Sequence, residues 1–168
     1  VQYVGKDRSG IVAKISHALL DMQGNLGEAS MTRLGGNFTI MLMVCIPESQ
    51  TAVQKKLQQI CDDLGLFFHL DAIEAGLHQH IEPDVRISIH GADKAGIVAH
   101  STDALNKAGL NILNLESDVG GSPENPVYVM HIEGVSGKGF DVLEKALQVL
   151  ARENDVVARI TRIDTMVG

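Results

Sequence analysis

From Val85 to His90 apolar and polar residues alternate, with Val85, Ile87 and Ile89 separated by Arg86, Ser88 and His90. This period of two predicts a strand with one buried face. Val1-Gln2-Tyr3-Val4 carries only the end of such a pattern, and the chain begins without Met. A strand truncated at its start, with a native N-terminal stretch missing, is the expectation there. The period then changes to that of a helix: Ile11, Val12, Ile15, Leu19 and Met22 recur at helical spacing, as do Ile97, Val98, Ser101, Leu105 and Ala108. Each of these helices is expected to stop at a glycine, Gly24 or Gly109. A hairpin follows, with Leu26 to Leu34 turning at Gly35-Gly36-Asn37 into Phe38 to Ile46; in the later segment Gly120 to Pro126 predicts a longer turn. Second helices carry Val53, Leu57, Ile60, Cys61 and Leu64, or Phe140, Leu143, Leu147 and Leu150, on one face, and closing strands are expected over 67–74 and 156–164.

The same element order occurs twice because the sequence repeats. Gly5 to Ala13 matches Gly91 to Ala99 at an offset of 86, and eight of the 15 positions from 5 to 19 are identical to their counterparts, where average composition would give roughly one. At that offset Asn25 falls on Asn111, and the ridge Leu57, Cys61, Leu64 falls on Leu143, Leu147, Leu150. Gly109-Leu110-Asn111 against Gly24-Asn25 reads as one residue missing from the first copy. Gly and Pro interrupt the pattern between Gly76 and Pro83. The expected organisation is therefore a module over 1–75, a linker over 76–83 and a second module over 84–168. The order β-α-β-β-α-β implies an α+β, ferredoxin-like fold in each copy, an antiparallel four-stranded sheet with both helices on one face. A module of about 80 residues has a modest core, so its open face or sheet edge calls for a partner, the first reason to expect a homo-oligomer.

Composition narrows the function classes. Fourteen Lys and Arg against 21 Asp and Glu give a formal charge of −7, with no basic cluster to attract a phosphate backbone, which disfavours direct nucleic-acid binding. Few aromatics and no basic-aromatic strand motif argue against RNA recognition on the sheet. Cys45 and Cys61 stand 16 positions apart in apolar surroundings, so two buried free thiols are expected and no metal site. No apolar run approaches the length of a membrane span and no signal peptide is visible, which fits a cytoplasmic location and no membrane partner. His78 and His80 fall in the linker, and His17 and His100 on the first helix of each copy; all four read as surface histidines. Met41 and Met43 read as part of a core or interface strand. No nucleophile elbow, phosphate loop or zinc-protease motif is present, so no catalytic residue and no cofactor are assigned.

The strongest chemical candidate is the loop Asp7-Arg8-Ser9-Gly10 and its twin Asp93-Lys94-Ala95-Gly96, between the first strand and first helix of each copy. A helix N-terminus favours anions, and Asp can accept hydrogen bonds from an ammonium group, so an amino acid matches both. Equally, Asp as a helix cap and Gly as a turn residue account for the loop with no ligand. Asn25 and Asn111 can hydrogen-bond both a carboxylate and an ammonium, or simply tolerate a left-handed turn.

Gly-x-Asp-Arg-x-Gly-Ile-Val, followed by a helix and then Gly-Asn or Gly-Leu-Asn-Ile, resembles the ACT domain, and the resemblance covers nearly the whole chain, twice. The tandem arrangement and acidic balance are most similar to the glycine cleavage system transcriptional repressor family; related pairs also precede hydrolase domains such as formyltetrahydrofolate deformylase. The resemblance implies a regulatory protein that catalyses nothing. It also implies a small amino-acid ligand such as glycine or serine, bound between modules, and a protein partner such as a transcriptional activator. The ligand residues it implies are Asp7, Arg8, Gly10, Ile11 and Asn25, with Asp93, Lys94, Gly96, Ile97 and Asn111 in the second copy. Ser9 and Ala95 depart from the Pro that relatives often place before the glycine.

Overall fold

The structure, a computed structural model, describes residues 1–73, 81–92 and 95–163. It separates into two compact units, Val1–Leu77 and His78–Gly168. Unit one runs β1 (Gln2–Lys6), α1 (Ile11–Asp21), β2 (Asn25–Leu34), β3 (Asn37–Cys45), α2 (Gln50–Leu64) and β4 (Leu66–His69). Unit two repeats it as β5 (Val85–Ala92), α3 (Ile97–Lys107), β6 (Leu110–Ser122), β7 (Asn125–Ser136), α4 (Phe140–Asn154) and β8 (Val156–Arg162). The sheet orders are β2-β3-β1-β4 and β6-β7-β5-β8, with all paired neighbours antiparallel. Each unit is thus the ferredoxin-like α+β arrangement its sequence pattern predicts.

Alternation in the inner strands and the 3.6-residue period in the helices put one apolar face of these elements into the core of each unit, while β2 is exposed along its length. In unit one Tyr3, Phe38, Ile40 and Leu42 of the sheet meet Ile11, Ile15, Leu19, Val53, Leu57 and Cys61 of the helices. In unit two Val85, Ile87, Ile89, Met130 and Ile132 meet Leu105, Leu143 and Leu147. The repeated glycines at the ends of the central strands have a steric cause. A Cβ on Gly5 would lie 2.4 Å from Leu66 Cδ2, and one on Gly91 2.6 Å from Val156 Cγ1.

Several expectations are corrected. The offset of 86 holds only as far as the hairpin. Gly5 faces Leu66 as Gly91 faces Val156, so beyond the hairpin the offset is 90. The buried ridge of α2, Val53, Leu57 and Cys61, therefore matches Leu143, Leu147 and Ala151, and Leu64 matches Asn154. No residue is missing before Asn25. Gln23, not Gly24, takes the left-handed conformation (φ 56°) that Gly109 takes in unit two (φ 88°), so the offset of 86 runs unbroken through Asn25 and Asn111. The second hairpin does not loop from Gly120 to Pro126: β6 continues through Ser122, which pairs with Asn125, leaving two residues to turn. In the first hairpin Gly35 and Gly36 (φ 57° and 77°) make the turn alone and Asn37 already belongs to β3, the conformation a two-residue hairpin needs. β4 stops at His69 because Gln2 is the last residue of β1 to pair with it. Cys45 is exposed rather than buried, since the register puts it on the sheet face opposite the helices together with Met41, which is 54 % exposed. Cys61 is buried as expected, and burial, then the neighbouring Asp62 carboxylate, pushes its thiol up to about 11. Among the described residues the Tyr3 hydroxyl is buried without a hydrogen-bond partner. The linker positions 76–80, with His78 and His80, lie outside the described residues.

Candidate functional site

The loop after β1 is shaped by Gly10, which caps α1 in the left-handed conformation (φ 84°) without a side-chain hydrogen bond; Gly96 does the same for α3 (φ 90°). Only glycine holds that backbone at no steric cost. Among the described residues no side chain is recorded capping the first turn of either helix. Asp7 is not the cap. Its carboxylate pairs with the Arg33 guanidinium of β2, and its N–H donates to the Gly36 carbonyl (3.0 Å). Arg8 turns to the far end of α2, where its guanidinium donates to the Leu64 carbonyl. That carbonyl is one of the helix-terminal acceptors the helix itself leaves unpaired, at the negative end of the dipole. Asp7 and Arg8 line a groove of about 680 Å³ with Lys6, Gly36, Asn37 and Phe67. Ile11 and Ile97 are core residues, 4 % and 7 % exposed, so their side chains serve packing.

In unit two Asp93 and Lys94 lie outside the described residues. Around Ala95 and Ile97 there is a pocket of about 270 Å³ that includes His100, Glu153, Asn154 and Asp155. Asn154 Nδ2 donates to the Leu150 carbonyl (3.1 Å), which leaves Oδ1 as the acceptor facing His100 Nδ1 at 3.2 Å. Asn154 stands where Leu64 stands in unit one, and Val119 where Arg33 stands, so an ion pair like that of Arg33 cannot form at Val119. His100 was read from sequence as a surface histidine, as its exposure bears out; Arg33 and Asn154 were not among the residues singled out there. Finding them needs the register that brings the hairpin and the C-terminal ends of α2 and α4 to the loop.

Asn25 and Asn111 are exposed at the start of the edge strands, opposite Cys45 and Val135. They do not join the loops within their own units. Lys6, next to the loop, pairs with Asn37 at one end of β3 and Asn25 pairs with Cys45 at the other; eight residues of strand span about 27 Å. The same separation holds in unit two, between Val127 opposite Ala92 and Val135 opposite Asn111. Asn25 instead lines a second, largely apolar cleft of about 480 Å³ with Val44, Ile46, Val53, Leu70 and Ile73. A β-bulge follows it, between Leu26 and Ala29, and its twin lies between Ile112 and Asn114.

Residues 1–71 match the ACT domain. The UPF0237 protein YjhC of Lactococcus lactis subsp. lactis is 34 % identical over 82 residues, covering 47 % of this chain and 94 % of that protein. The chain belongs to the ACT-domain family. The UPF0237 protein MK1213 of Methanopyrus kandleri is 35 % identical over 69 residues, 39 % of this chain and 77 % of its own. Among solved structures, an unknown protein from Galdieria sulphuraria superposes with a TM-score of 0.80 at 23 % identity, over 97 % of this chain and 96 % of that one. A candidate glycine cleavage system transcriptional repressor superposes with 0.76 at 18 % identity, over 98 % and 95 %. These two establish the shared fold along nearly the whole ACT-domain chain. No helix among the described residues is long and apolar enough to cross a membrane.

Proposed function

We propose that this ACT-domain protein is an amino-acid-sensing regulator. It binds a small zwitterion such as glycine or serine and alters its engagement of a protein partner, a transcription factor or an enzyme of glycine and one-carbon metabolism, in the cytoplasm. The observation that supports this most is the repeated left-handed glycine at the N-termini of α1 and α3, whose first turns carry no side-chain cap among the described residues; backbone N–H groups and the helix dipole there suit a carboxylate. Asp7, Arg8, Gly10, Ile11 and Asn25, with Asp93, Lys94, Gly96, Ile97 and Asn111, are the proposed ligand set, Ile11 and Ile97 through their backbones. Loop and Asn stand about 27 Å apart in each unit. A ligand touching both takes its loop and its Asn from different modules, and a homo-oligomer is proposed with it. The role is regulatory rather than catalytic.

One observation favours a second reading, a ligand-independent partner-binding module or a detached regulatory domain: in unit one Asp7 and Arg8 already have protein partners, Arg33 and the Leu64 carbonyl. Thermal unfolding against the twenty amino acids separates the two. A ligand of the folded state at 100 times its dissociation constant adds about 2.7 kcal/mol. A selective shift that disappears in Asn25→Ala with Asn111→Ala supports sensing; a panel with no shift selects the second reading.

A further inference from the structure

The open face of the unit-two sheet carries two histidines on neighbouring strands. Ile87, Ile89, Met130 and Ile132 are buried against the helices, which sends His90 of β5 and His131 of β7 to the other face, because successive side chains of a strand alternate. The register sets Ser88 opposite His131 and Val129 opposite His90, so the two imidazoles are diagonal neighbours across the pair. Their rings stand edge to face, with 6.1 Å between centroids and 86° between planes. His131 is exposed and His90 half-buried. Among the described residues the histidine rings that have a hydrogen-bond partner are those of His69 and His100, not these two. Unit one shows that the fold asks for neither. At the same sheet positions it has Val4 in place of His90 and Met41 in place of His131.

We propose that His90 and His131 together bind a divalent transition-metal ion of the class that prefers imidazole, Zn²⁺ or Cu²⁺, one per chain and in unit two alone. A metal held about 2.0–2.1 Å from a ring nitrogen lies about 3.2 Å from that ring's centroid, so two rings sharing it have centroids about 5–6.5 Å apart. The observed 6.1 Å falls within that range, and the broad χ2 wells of His let each ring turn a nitrogen toward the shared point. Glu116 of β6 lies directly opposite His131, on the same face, and its carboxylate favours positive charge beside that ring. Glu133, two residues along β7, is engaged by Arg86. Among the described residues no three metal-ligating side chains converge, so the protein supplies two ligands and water takes the remaining positions. That makes an open, exchangeable site rather than a closed structural one. Imidazole suits Zn²⁺ and Cu²⁺, whereas Mg²⁺ takes oxygen ligands. The sequence hides the pair because α3 and β6 separate its two strands, while the spacings that announce a metal site lie within one short segment.

Titration calorimetry of the full chain with ZnCl₂ and with CuCl₂ tests this, with MgCl₂ as the control. One ion per chain is expected for Zn²⁺ and for Cu²⁺, Cu²⁺ the tighter by the Irving–Williams order, and none for Mg²⁺. His90→Asn and His131→Asn are each expected to weaken Zn²⁺ binding at least about tenfold, the least that losing even an outer-shell partner costs a metal site. Because both side chains lie on the open face, these variants should unfold at the wild-type temperature without metal. In the wild-type chain Zn²⁺ should shift the imidazole NMR signals of His90 and His131 and leave those of His69 and His100 in place. His78→Asn with His80→Asn is expected to keep the binding. Loss of binding in that variant, with both sheet variants still binding, assigns the ion to residues 78–80 and overturns the proposal. So does a chain that takes up neither Zn²⁺ nor Cu²⁺ at millimolar concentration. Binding that His90→Asn and His131→Asn leave unchanged also overturns it, as adventitious contact with surface histidines. Metal binding here stands whether or not an amino acid binds at the loops.

Discussion

Single residues in the unit-one core carry polar groups that unit two replaces with apolar ones. Tyr3 stands where Ile89 stands, and Cys61 where Ala151 stands. A buried hydroxyl without a partner costs about 1–3 kcal/mol, so Tyr3→Phe is expected to raise stability by about 1 kcal/mol in urea unfolding. Burial raises the titration of the Tyr3 hydroxyl as well as the Cys61 thiol. Above the ordinary values of 9.0 and 10.0 for these groups, the unfolded chain has released protons that the folded one still holds. Stability contributed by the protonated Cys61 is therefore fully present below pH 9 and declines as pH rises through about 11. Unfolding midpoints measured across that range should fall, and Cys61→Ala should flatten part of the decline. A thiol reagent at neutral pH should label Cys45 and spare Cys61 in the folded protein. Gln23 holds a left-handed backbone that Gly109 adopts freely. Gln23→Gly should stabilise by about 1 kcal/mol, read as a shift in denaturant midpoint.

At the scale of elements, the periodicities were legible because burial enforces them. Alternation marked β5, and a 3.6-residue stripe marked all four helices. What the sequence left hidden was relative length. Identity is dense before the first hairpin and sparse after it, so the four extra residues of the second hairpin could not be seen, and the buried ridge of α2 was matched to the wrong turn of α4. The same absence of register hid Arg33 and Asn154, which reach the loops only once strands and helices are folded against each other. It also hid that the antiparallel strands carry Asp7 and Arg8 to one end of the sheet and Asn25 to the other. Arg8 acts between elements, tying the loop after β1 to the end of α2. Arg8→Ala should cost about 1 kcal/mol through the lost cap on Leu64. Arg33→Ala should cost well under 1 kcal/mol because its side chain is 68 % exposed. Chemical denaturation of the two variants side by side distinguishes these roles.

For the whole molecule, duplication has kept the fold while letting the loops diverge. Unit one ties its loop with Asp7–Arg33 and Arg8, and unit two places His100 against Asn154 at the corresponding end. The proposed action on transcription has two conceivable routes, through a protein or through DNA, and charge separates them. With a formal charge of −7, the long-range field repels a phosphate backbone, and the Lys and Arg residues are dispersed, several of them engaged with Glu48, Asp103, Glu133 and Asp7. Counterion release, which drives non-specific DNA binding, needs clustered cations to supply it. The protein alone is therefore expected to leave a duplex probe unshifted in a low-salt mobility assay. A shift that weakens steeply with added salt would show a basic surface formed on assembly, and would replace the protein-partner route with direct contact.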